Sequence, residues 1–249
     1  MENTNTVQKT VDILQYLSTH PNGAALSAIA KELRFPKTSV YNILKTLVQN
    51  NFIQCVIQGK KNYCIGSHAY ITGYTYLESS ELFKAARPYL TLLADKYEKT
   101  AFLSIRDRDQ AIFIYKYASL NVKTIMGDVG ERRLLHASAV GKCFLAFDTG
   151  AFPLIDTIDL PAFTPYTITV RKKLKAHLGE LRKLGYSWEQ REYYIHTSCL
   201  AAPIFIRGAM AGAISMVGWY KEEEDLTAQG NEIAQLANLI TTQLEQDRK

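Results

Sequence analysis

The chain has 249 residues, of which 47% are apolar and 21% charged, and its net charge is +5. This length suits one large domain or two modest ones, and the composition is that of an ordinary globular protein. The first twenty residues lack the apolar run of a secretory signal, and the apolar-rich segment 209–220 is too short for a membrane-spanning helix, so we expect a cytoplasmic protein without membrane contact.

Four cysteines are spread along the chain, at Cys55, Cys64, Cys143 and Cys199, and they form no Cys-x-x-Cys pair. None has a histidine at the spacing of a zinc site, which argues against a disulfide framework and against a structural metal. We expect reduced thiols in a reducing compartment and predict no bound metal or other cofactor.

The positive charge is concentrated in the first third of the chain. Residues 1–75 contain seven basic and three acidic residues, a balance of +4, so residues 76–249 carry only +1. A basic region can attract the phosphates of a nucleic acid, although many basic faces are merely solvated.

Three short helices and a hairpin are predicted first. Apolar residues recur at helical spacing in 7–17, in a second helix from Leu26 with Ser27 as N-cap, and in a third from about Pro36 to Asn50. Two β-prone segments, 52–57 and 62–65, flank a Gly-Lys-Lys turn. This order predicts a winged helix-turn-helix.

The remaining pattern predicts a connecting helix and then one α/β domain. The predicted elements are a helix at 67–80, a helix at 82–97, strands at 101–106, 111–118 and near 122–126, a helix at 138–147, an irregular stretch at 148–169, a helix at 171–184, strands at 198–206 and 210–217, and a helix at 226–244. Helices mixed with paired strands indicate an α+β chain whose second domain has a mainly antiparallel sheet.

The third helix has the composition of a DNA-recognition helix. Its polar side chains lie off the apolar stripe and can contact phosphates and base edges: Lys37, Thr38, Ser39, Tyr41, Asn42 and Lys45. Lys60 and Lys61 at the hairpin tip can contact the neighbouring backbone. The alternative is a winged helix that binds another protein and no DNA, and salt-dependent binding to duplex DNA would separate the two.

Several segments together resemble one bacterial family. Residues 7–17, Leu26–Leu33 and Phe35–Leu47 resemble the DNA-binding half of IclR-type transcription regulators. Leu135–Lys142 is similar to the pocket loop of that family, and Gly185-Tyr186, Glu189 and Cys199–Pro203 resemble its later signature. The resemblance covers nearly the whole chain in the right order.

The resemblance implies a winged helix-turn-helix at 1–66, a linker helix at 67–80 and a GAF-like effector-binding and oligomerisation domain at 81–249. It implies a repressor that binds inverted-repeat double-stranded DNA as a homodimer or homotetramer and responds to a small organic acid. The effector contacts that it implies are Ile125, Ala139, Val140, Glu189, Cys199, Ser215 and Val217. Without the family context, Cys199 and Ser215 are ordinary strand residues and Glu189 a surface carboxylate.

Some positions depart from the family pattern. Leu134 stands where Pro is frequent, Ser198 and Asn42 where Arg is frequent, and Glu189 where Asp is common. The changes at 134 and 198 bear on the effector, and the change at 42 bears on the operator sequence. Val217 occupies a position that can be Ser, so we expect an acid more apolar than the smallest ketoacids, either a sugar acid or an aromatic acid.

An enzyme is the weaker alternative. His136 and Cys143 lie close in sequence and can be imagined as base and nucleophile, yet no orienting partner or oxyanion site is recognisable. Gly141-Lys142 is not a phosphate-binding loop, because Cys143 replaces the required Ser or Thr. We therefore predict a regulator with no catalytic residues.

Overall fold

The computed structural model describes residues 6–58, 60–122 and 127–246. The chain divides into two compact units, Met1–Ser79 and Ser80–Lys249. Of the sequence predictions, Ile125 and all but the first residue of the strand near 122–126 lie outside the described residues, as does the Lys60 side chain.

The first unit is a winged helix-turn-helix. Its elements are α1 (Thr6–Ser18), α2 (Leu26–Glu32), α3 (Lys37–Gln49), β1 (Ile53–Gln58), β2 (Lys60–Ile65) and α4 (Ser67–Ser79). The apolar stripes of α1, α2 and α3 meet around Ile13, Ile29 and Leu44, which are fully buried. This small core fixes the angle at which α3 is presented to solvent.

A tight turn joins α2 to α3. Arg34 adopts a left-handed conformation with φ of 55°, and the amides of Arg34 and Phe35 donate to the carbonyls of Lys31 and Ala30. These two backbone hydrogen bonds form the Schellman motif that commonly ends a helix, here with Arg34 in the left-handed position where Gly is usual. Pro36 follows as the N-cap of α3, so α3 begins where the third helix was predicted.

The predicted cap of α2 is wrong. Ala25, and not Ser27, is the N-cap, and no side chain satisfies the first amides of the helix. The reason is tertiary: Ala24 exchanges two backbone hydrogen bonds with Tyr63 in β2, which keeps the chain extended up to Ala25 and starts the helix immediately afterwards.

The second unit surrounds one antiparallel sheet. Its elements are α5 (Glu81–Tyr97), β3 (Thr100–Asp107), β4 (Gln110–Ala118), β5 (Arg132–Leu134), α6 (Ala139–Phe147), a 3₁₀ turn (Phe152–Asp156), α7 (Arg171–Leu184), β6 (Ser187–Gln190), β7 (Thr197–Ile206), β8 (Ala209–Trp219) and α8 (Leu226–Gln246). The strand order is β5-β4-β3-β8-β7-β6, with every neighbouring pair antiparallel.

The two faces of this sheet bury different helices. On β8, Gly212 lies beneath Leu82 of α5, whereas Ala213 belongs to the apolar core formed with α6 and α7. Because successive strand residues point to opposite faces, Ser215 and Val217 face the same side as Ala213. The α6 side of the sheet is where the predicted effector residues gather.

The predicted fold class, α+β with a winged helix-turn-helix and an antiparallel sheet, is confirmed. Two strands were missed, β5 and β6. Both are edge strands of three and four residues, and their polar sequences lack the apolar alternation that marks longer strands.

Candidate functional site

The polar face of α3 is open to solvent. Val40, Ile43 and Leu44 are buried against the rest of the unit. The predicted DNA contacts lie on the other side of the helix: Lys37, Thr38, Tyr41, Asn42 and Lys45 are exposed, and Ser39 is partly exposed. The side-chain set has the length, charge and hydrogen-bonding groups to enter a major groove.

The hairpin adds a basic flank to this surface. Lys61 is exposed and its Nζ lies 5.6 Å from the centre of the Tyr63 ring. A shallow groove between α3 and the hairpin is lined by Tyr41, Lys45 and Lys61, among others. Helix and hairpin therefore present their cations side by side, which suits contact with a phosphate backbone.

A cavity lies between the sheet and α6 in the second unit. Its volume is about 460 Å³ with the space at its mouth. Six of the seven predicted effector residues line it, namely Ala139, Val140, Glu189, Cys199, Ser215 and Val217. All six strands contribute at least one wall residue.

The strand register explains why residues far apart in sequence meet there. Glu189 on β6 pairs with Cys199 on β7, and Cys199 pairs with Val217 on β8. Directly paired residues project from the same face of an antiparallel sheet, so the three form one row across the cavity wall. Ser215 and its partner Phe102 on β3 form the next row.

Glu189 is the most perturbed acid of this wall. It is 1% exposed, and burial raises the pKa of its carboxyl to about 7. One oxygen accepts hydrogen bonds from the amides of Glu192 at 2.9 Å and Tyr193 at 3.4 Å, while Oε1 has no partner among the described residues. A buried carboxyl oxygen without a partner, in a cavity wall, is a candidate contact for a polar ligand atom.

The N-terminus of α6 also lines the cavity, through Ser138, Ala139 and Val140. Ser138 caps the helix by accepting from the Gly141 amide at 3.1 Å. The amides of Ala139 and Val140 occupy the first two helical positions, which have no partner within a helix. Such amides, at the positive end of the helix dipole, favour a carboxylate.

Sequence reasoning missed the aromatic and cationic parts of the cavity. Phe102 and Phe113 stack with their ring centres 4.1 Å apart, and Tyr193 and Tyr194 line the same space. Arg133, on the unpredicted strand β5, is 7% exposed and reaches into it. In the sequence, two adjacent arginines suggest a solvent-exposed turn. Because neighbouring residues of a strand point to opposite faces, β5 exposes Arg132 and buries Arg133.

Both departures that were expected to bear on the effector, Ser198 and Leu134, lie outside the cavity wall. Ser198 points to the opposite face from Cys199, and its hydroxyl donates to Glu224 at 3.4 Å. Leu134 pairs with Gln110 at the edge of the sheet and does not line the cavity. Of the noted departures, Val217 and Glu189 are the ones that change the cavity wall.

His136 and Cys143 are both fully buried. Burial raises the pKa of the Cys143 thiol far above its ordinary value and lowers the pKa of His136. The His136 Nε2 lies 2.9 Å from the carbonyl oxygen of Pro161, and no hydrogen bond joins the ring to Cys143 within the described part of the chain. A thiol that stays protonated is a poor nucleophile.

A winged helix-turn-helix followed by a domain with a largely apolar cavity that holds a few polar groups is the organisation of a DNA-binding regulator with a C-terminal effector domain. No helix in residues 6–58, 60–122 or 127–246 is long and apolar enough to cross a membrane. Residues 6–55 match the IclR helix-turn-helix domain, and residues 74–242 match the bacterial transcriptional regulator IclR C-terminal domain. The chain therefore belongs to the IclR family, and the predicted resemblance is confirmed.

Named relatives and solved structures are consistent with this family assignment. The chain is 28% identical over 197 residues to the transcriptional repressor IclR of Escherichia coli, covering 78% of this chain and 72% of that protein. An IclR regulator from Alicyclobacillus acidocaldarius has the same fold, with a TM-score of 0.85, 23% identity and coverage of 96% and 98%. So does an IclR homologue from Microbacterium hydrocarbonoxydans crystallised with 4-hydroxybenzoate, with a TM-score of 0.81, 19% identity and coverage of 96% and 99%.

Proposed function

We propose that this regulator is a cytoplasmic repressor that binds an inverted-repeat operator and is controlled by an organic acid in the cavity beside α6. Residues 1–66 bind DNA, 67–80 link, and 81–249 bind the effector and mediate oligomerisation. The observation that carries the proposal is the cavity, where the amides at the first two positions of α6 and the buried Glu189 carboxyl, whose Oε1 has no partner among the described residues, face an aromatic wall. The repressor sense is supported by the name of the E. coli relative.

DNA recognition is assigned to the exposed face of α3 and to the hairpin. Lys37, Thr38, Ser39, Tyr41, Asn42 and Lys45 contact the major groove and its phosphates, and Lys60 and Lys61 contact the adjacent backbone. The support is the exposure of the described members of this set, together with the buried apolar stripe that turns them outward.

The protein acts as a homodimer or a homotetramer. We assign part of the interface to the linker helix α4, next to the oligomerisation domain, because α4 buries no residue within its own unit although it carries Tyr70, Ile71 and Tyr76, each more than half exposed. Three large apolar side chains on one exposed helix favour burial against a second copy, and two copies match the two-fold symmetry of an inverted repeat.

The effector is an aromatic acid. Its carboxylate approaches the amides of Ala139 and Val140, and its ring lies against Phe102, Phe113 and Val217. The stacked phenylalanine pair favours a flat apolar ring over a sugar acid, which would leave hydroxyls unpaired against this wall. The 4-hydroxybenzoate bound by the Microbacterium homologue is an acid of this class.

The chain works by binding and not by catalysis. The protonated, buried Cys143 thiol supports this assignment, because the one nucleophile suggested by the sequence lacks the thiolate that a reaction needs. Effector binding favours one of two conformations that differ in operator affinity, which is the thermodynamic requirement for control.

The experiment starts from a duplex selected by the protein out of a randomised pool. We expect an inverted repeat, with affinity that falls steeply as salt rises. Adding 4-hydroxybenzoate is expected to change that affinity, whereas the uncharged 4-hydroxybenzamide is expected to have no effect. Salt-independent binding or failure to select DNA would favour a protein-interaction module, and a response to the amide alone would reject an acid effector.

Glu189→Ala separates the two halves of the proposal. This variant is expected to retain the operator affinity of the ligand-free protein and to lose its response to the acid. If the variant folds but no longer binds the operator, the assignment of Glu189 to effector sensing alone is wrong.

A further inference from the structure

Arg133 is an unusual group for a cavity wall, because it is a cation almost excluded from solvent. Its guanidinium carbon lies 4.6 Å from the ring centre of Tyr193, 5.2 Å from that of Phe113 and 5.5 Å from that of Tyr194. Three rings therefore hold the planar group in one orientation through cation–π contacts. The same three rings line the cavity.

The partner of Arg133 is more exposed to solvent and is not among the residues that line the cavity. Nη1 donates to Glu131 Oε1, and the side chain of Glu131 is 33% exposed against 9% for Arg133. A guanidinium has five N–H donors, and the others have no hydrogen-bond partner among the described residues. Burial is the largest single influence and opposes the charge, but the hydrogen bond and the Coulombic attraction to Glu131, with smaller contributions from Tyr194 and Tyr193, together raise the pKa of Arg133, which therefore stays cationic.

Because Glu131 is more exposed than Arg133, another carboxylate can replace Glu131 as the partner of the guanidinium. A carboxylate that leaves Arg133 from a third-exposed position returns to water at little cost, and Glu131 Oε2 already accepts the Asp128 amide at 3.1 Å. The guanidinium, in contrast, cannot follow into water without abandoning its aromatic cage. A buried cation of this kind requires an anion, and the cavity side offers room for one.

We propose that Arg133 binds the carboxylate of the effector and that Glu131 is an internal competitor which the effector displaces. The inference rests on the proposed function and deepens it, since it names the counter-ion of the acid and predicts a ligand that is planar next to its carboxylate. Because a carboxylate has two oxygen atoms and Arg133, Ala139 and Val140 line the same cavity, the acid can accept from the guanidinium and from the amides of Ala139 and Val140 together.

The competitor model predicts opposite effects from two neighbouring substitutions. Arg133→Gln removes the cation and is expected to weaken benzoate binding at least about tenfold. Glu131→Gln keeps the fold and removes the competing charge, so it is expected to tighten benzoate binding by about threefold to tenfold. Arg133→Lys keeps the charge but loses the planar fork, and an intermediate affinity is expected.

The matched control is Arg132→Gln. Arg132 lies on the same strand with the same charge, but its side chain is half exposed and pairs with Asp107 at 2.8 Å outside the cavity. Its removal is expected to leave benzoate affinity unchanged. Benzamide, which has the shape of benzoate without the charge, is expected to bind all four variants and the wild type with equal, low affinity.

Isothermal titration calorimetry of the full-length wild type and variants with benzoate and benzamide decides the matter, with circular dichroism to check folding. If the wild type binds benzoate and Arg133→Lys and Glu131→Gln do not change the affinity, the role of Arg133 is wrong while the acid effector stands. If the wild type prefers benzamide, or binds neither compound nor 4-hydroxybenzoate, the acid effector is rejected and the inference with it.

Discussion

The ammonium of Lys142 forms an ion pair with the carboxylate of Glu192 inside the effector domain, where the two side chains are 0% and 7% exposed. Lys142 lies one helical turn after Ala139 on α6, and Glu192 immediately precedes Tyr193. The pair therefore joins the helix whose first residues line the cavity to the segment that carries its aromatic wall. Burial lowers the pKa of Lys142 and raises the pKa of Glu192, which disfavours the charged form of each group. The attraction and hydrogen bond between them act in the opposite direction, so each charge is stabilised by the other.

Lys142→Met is expected to destabilise the effector domain by about 3–5 kcal/mol, because it leaves the Glu192 carboxylate buried without its counter-ion. Both tryptophans of the chain, Trp188 and Trp219, lie in this domain, so urea unfolding followed by tryptophan fluorescence reports on it alone. The control is Lys175→Met, which breaks a largely exposed pair with Asp156 and is expected to cost below about 1 kcal/mol. Equal costs for the two variants would contradict a structural role for the buried pair.

Glu189 is expected to make the stability of the effector domain depend on pH. Its pKa is about 7 in the folded protein against 4.5 as the ordinary value, so the folded state binds the extra proton between these limits. The contribution to stability is therefore complete below about pH 4.5 and is lost as pH rises through 7. The charged or titratable neighbours of the carboxyl are Cys199, Lys142 and Glu192.

Glu189→Gln removes this titration but leaves the other groups in place. The free energy of unfolding of the wild type, measured relative to the variant, is expected to fall by about 1–3 kcal/mol between pH 5 and pH 8. Histidine titrations cancel in the comparison, because both proteins contain them. A difference that stays constant over this range would show that Glu189 is already ionised at pH 5.

Sequence patterns predicted the elements whose signals are local. The stripe of Val40, Leu44 and Leu47 predicted α3 and its exposed polar face, and the apolar runs at 198–206 and 210–217 predicted the two long strands β7 and β8. The capping of α2 was wrong because Tyr63, almost forty residues away, sets where that helix begins. Helix and capping propensities of neighbouring residues contain no information about a backbone contact with a residue so distant in sequence.

The cavity was predictable only through family resemblance. Glu189, Cys199 and Val217 share a row because of strand register, which no spacing in the sequence encodes. Arg133 stayed hidden because β5 is three residues long, and the buried and exposed arginines of that strand look identical in composition. Its importance depends on the Tyr193 ring, which comes from the other edge of the sheet.

Lys45→Ala tests the phosphate contact of the recognition helix. The affinity is expected to fall alike for operator and random duplexes, and the slope of log affinity against log salt should decrease by about one per protomer. Fluorescence anisotropy at several salt concentrations measures both. Lys173→Ala removes an exposed cation from α7 and is the control, with no change expected. A loss confined to the operator would assign Lys45 to base recognition instead.

Tyr70→Glu tests the oligomer interface proposed for α4. A carboxylate at this 70% exposed position is tolerated by the isolated protomer, but it would be buried without a partner between two copies. We expect sedimentation velocity to show dissociation of the variant at concentrations where the wild type is assembled. Gln15→Glu, which introduces the same charge at an exposed position of α1, should leave assembly intact. An assembled Tyr70→Glu protein would place the interface elsewhere.

Gly141→Ala and Gly179→Ala form a matched pair of helical glycines with opposite expected effects. A Cβ on Gly141 would lie 2.4 Å from the Leu135 Cα and 2.5 Å from the Leu135 carbonyl oxygen, and these backbone atoms cannot turn aside as a side chain can. The α6 N-terminus must then move away from the preceding loop, and we expect a loss of more than about 2 kcal/mol. Gly179, inside α7, has no described atom within 4 Å of its Cβ position, so alanine there should stabilise the domain by about 0.5–1 kcal/mol through helix propensity. Urea unfolding measures both changes.

Because the amides of Ala139 and Val140 move with the start of α6, Gly141→Ala should also weaken benzoate binding, whereas Gly179→Ala should not. A Gly141→Ala protein with unchanged affinity would show that the position of these amides does not govern effector binding.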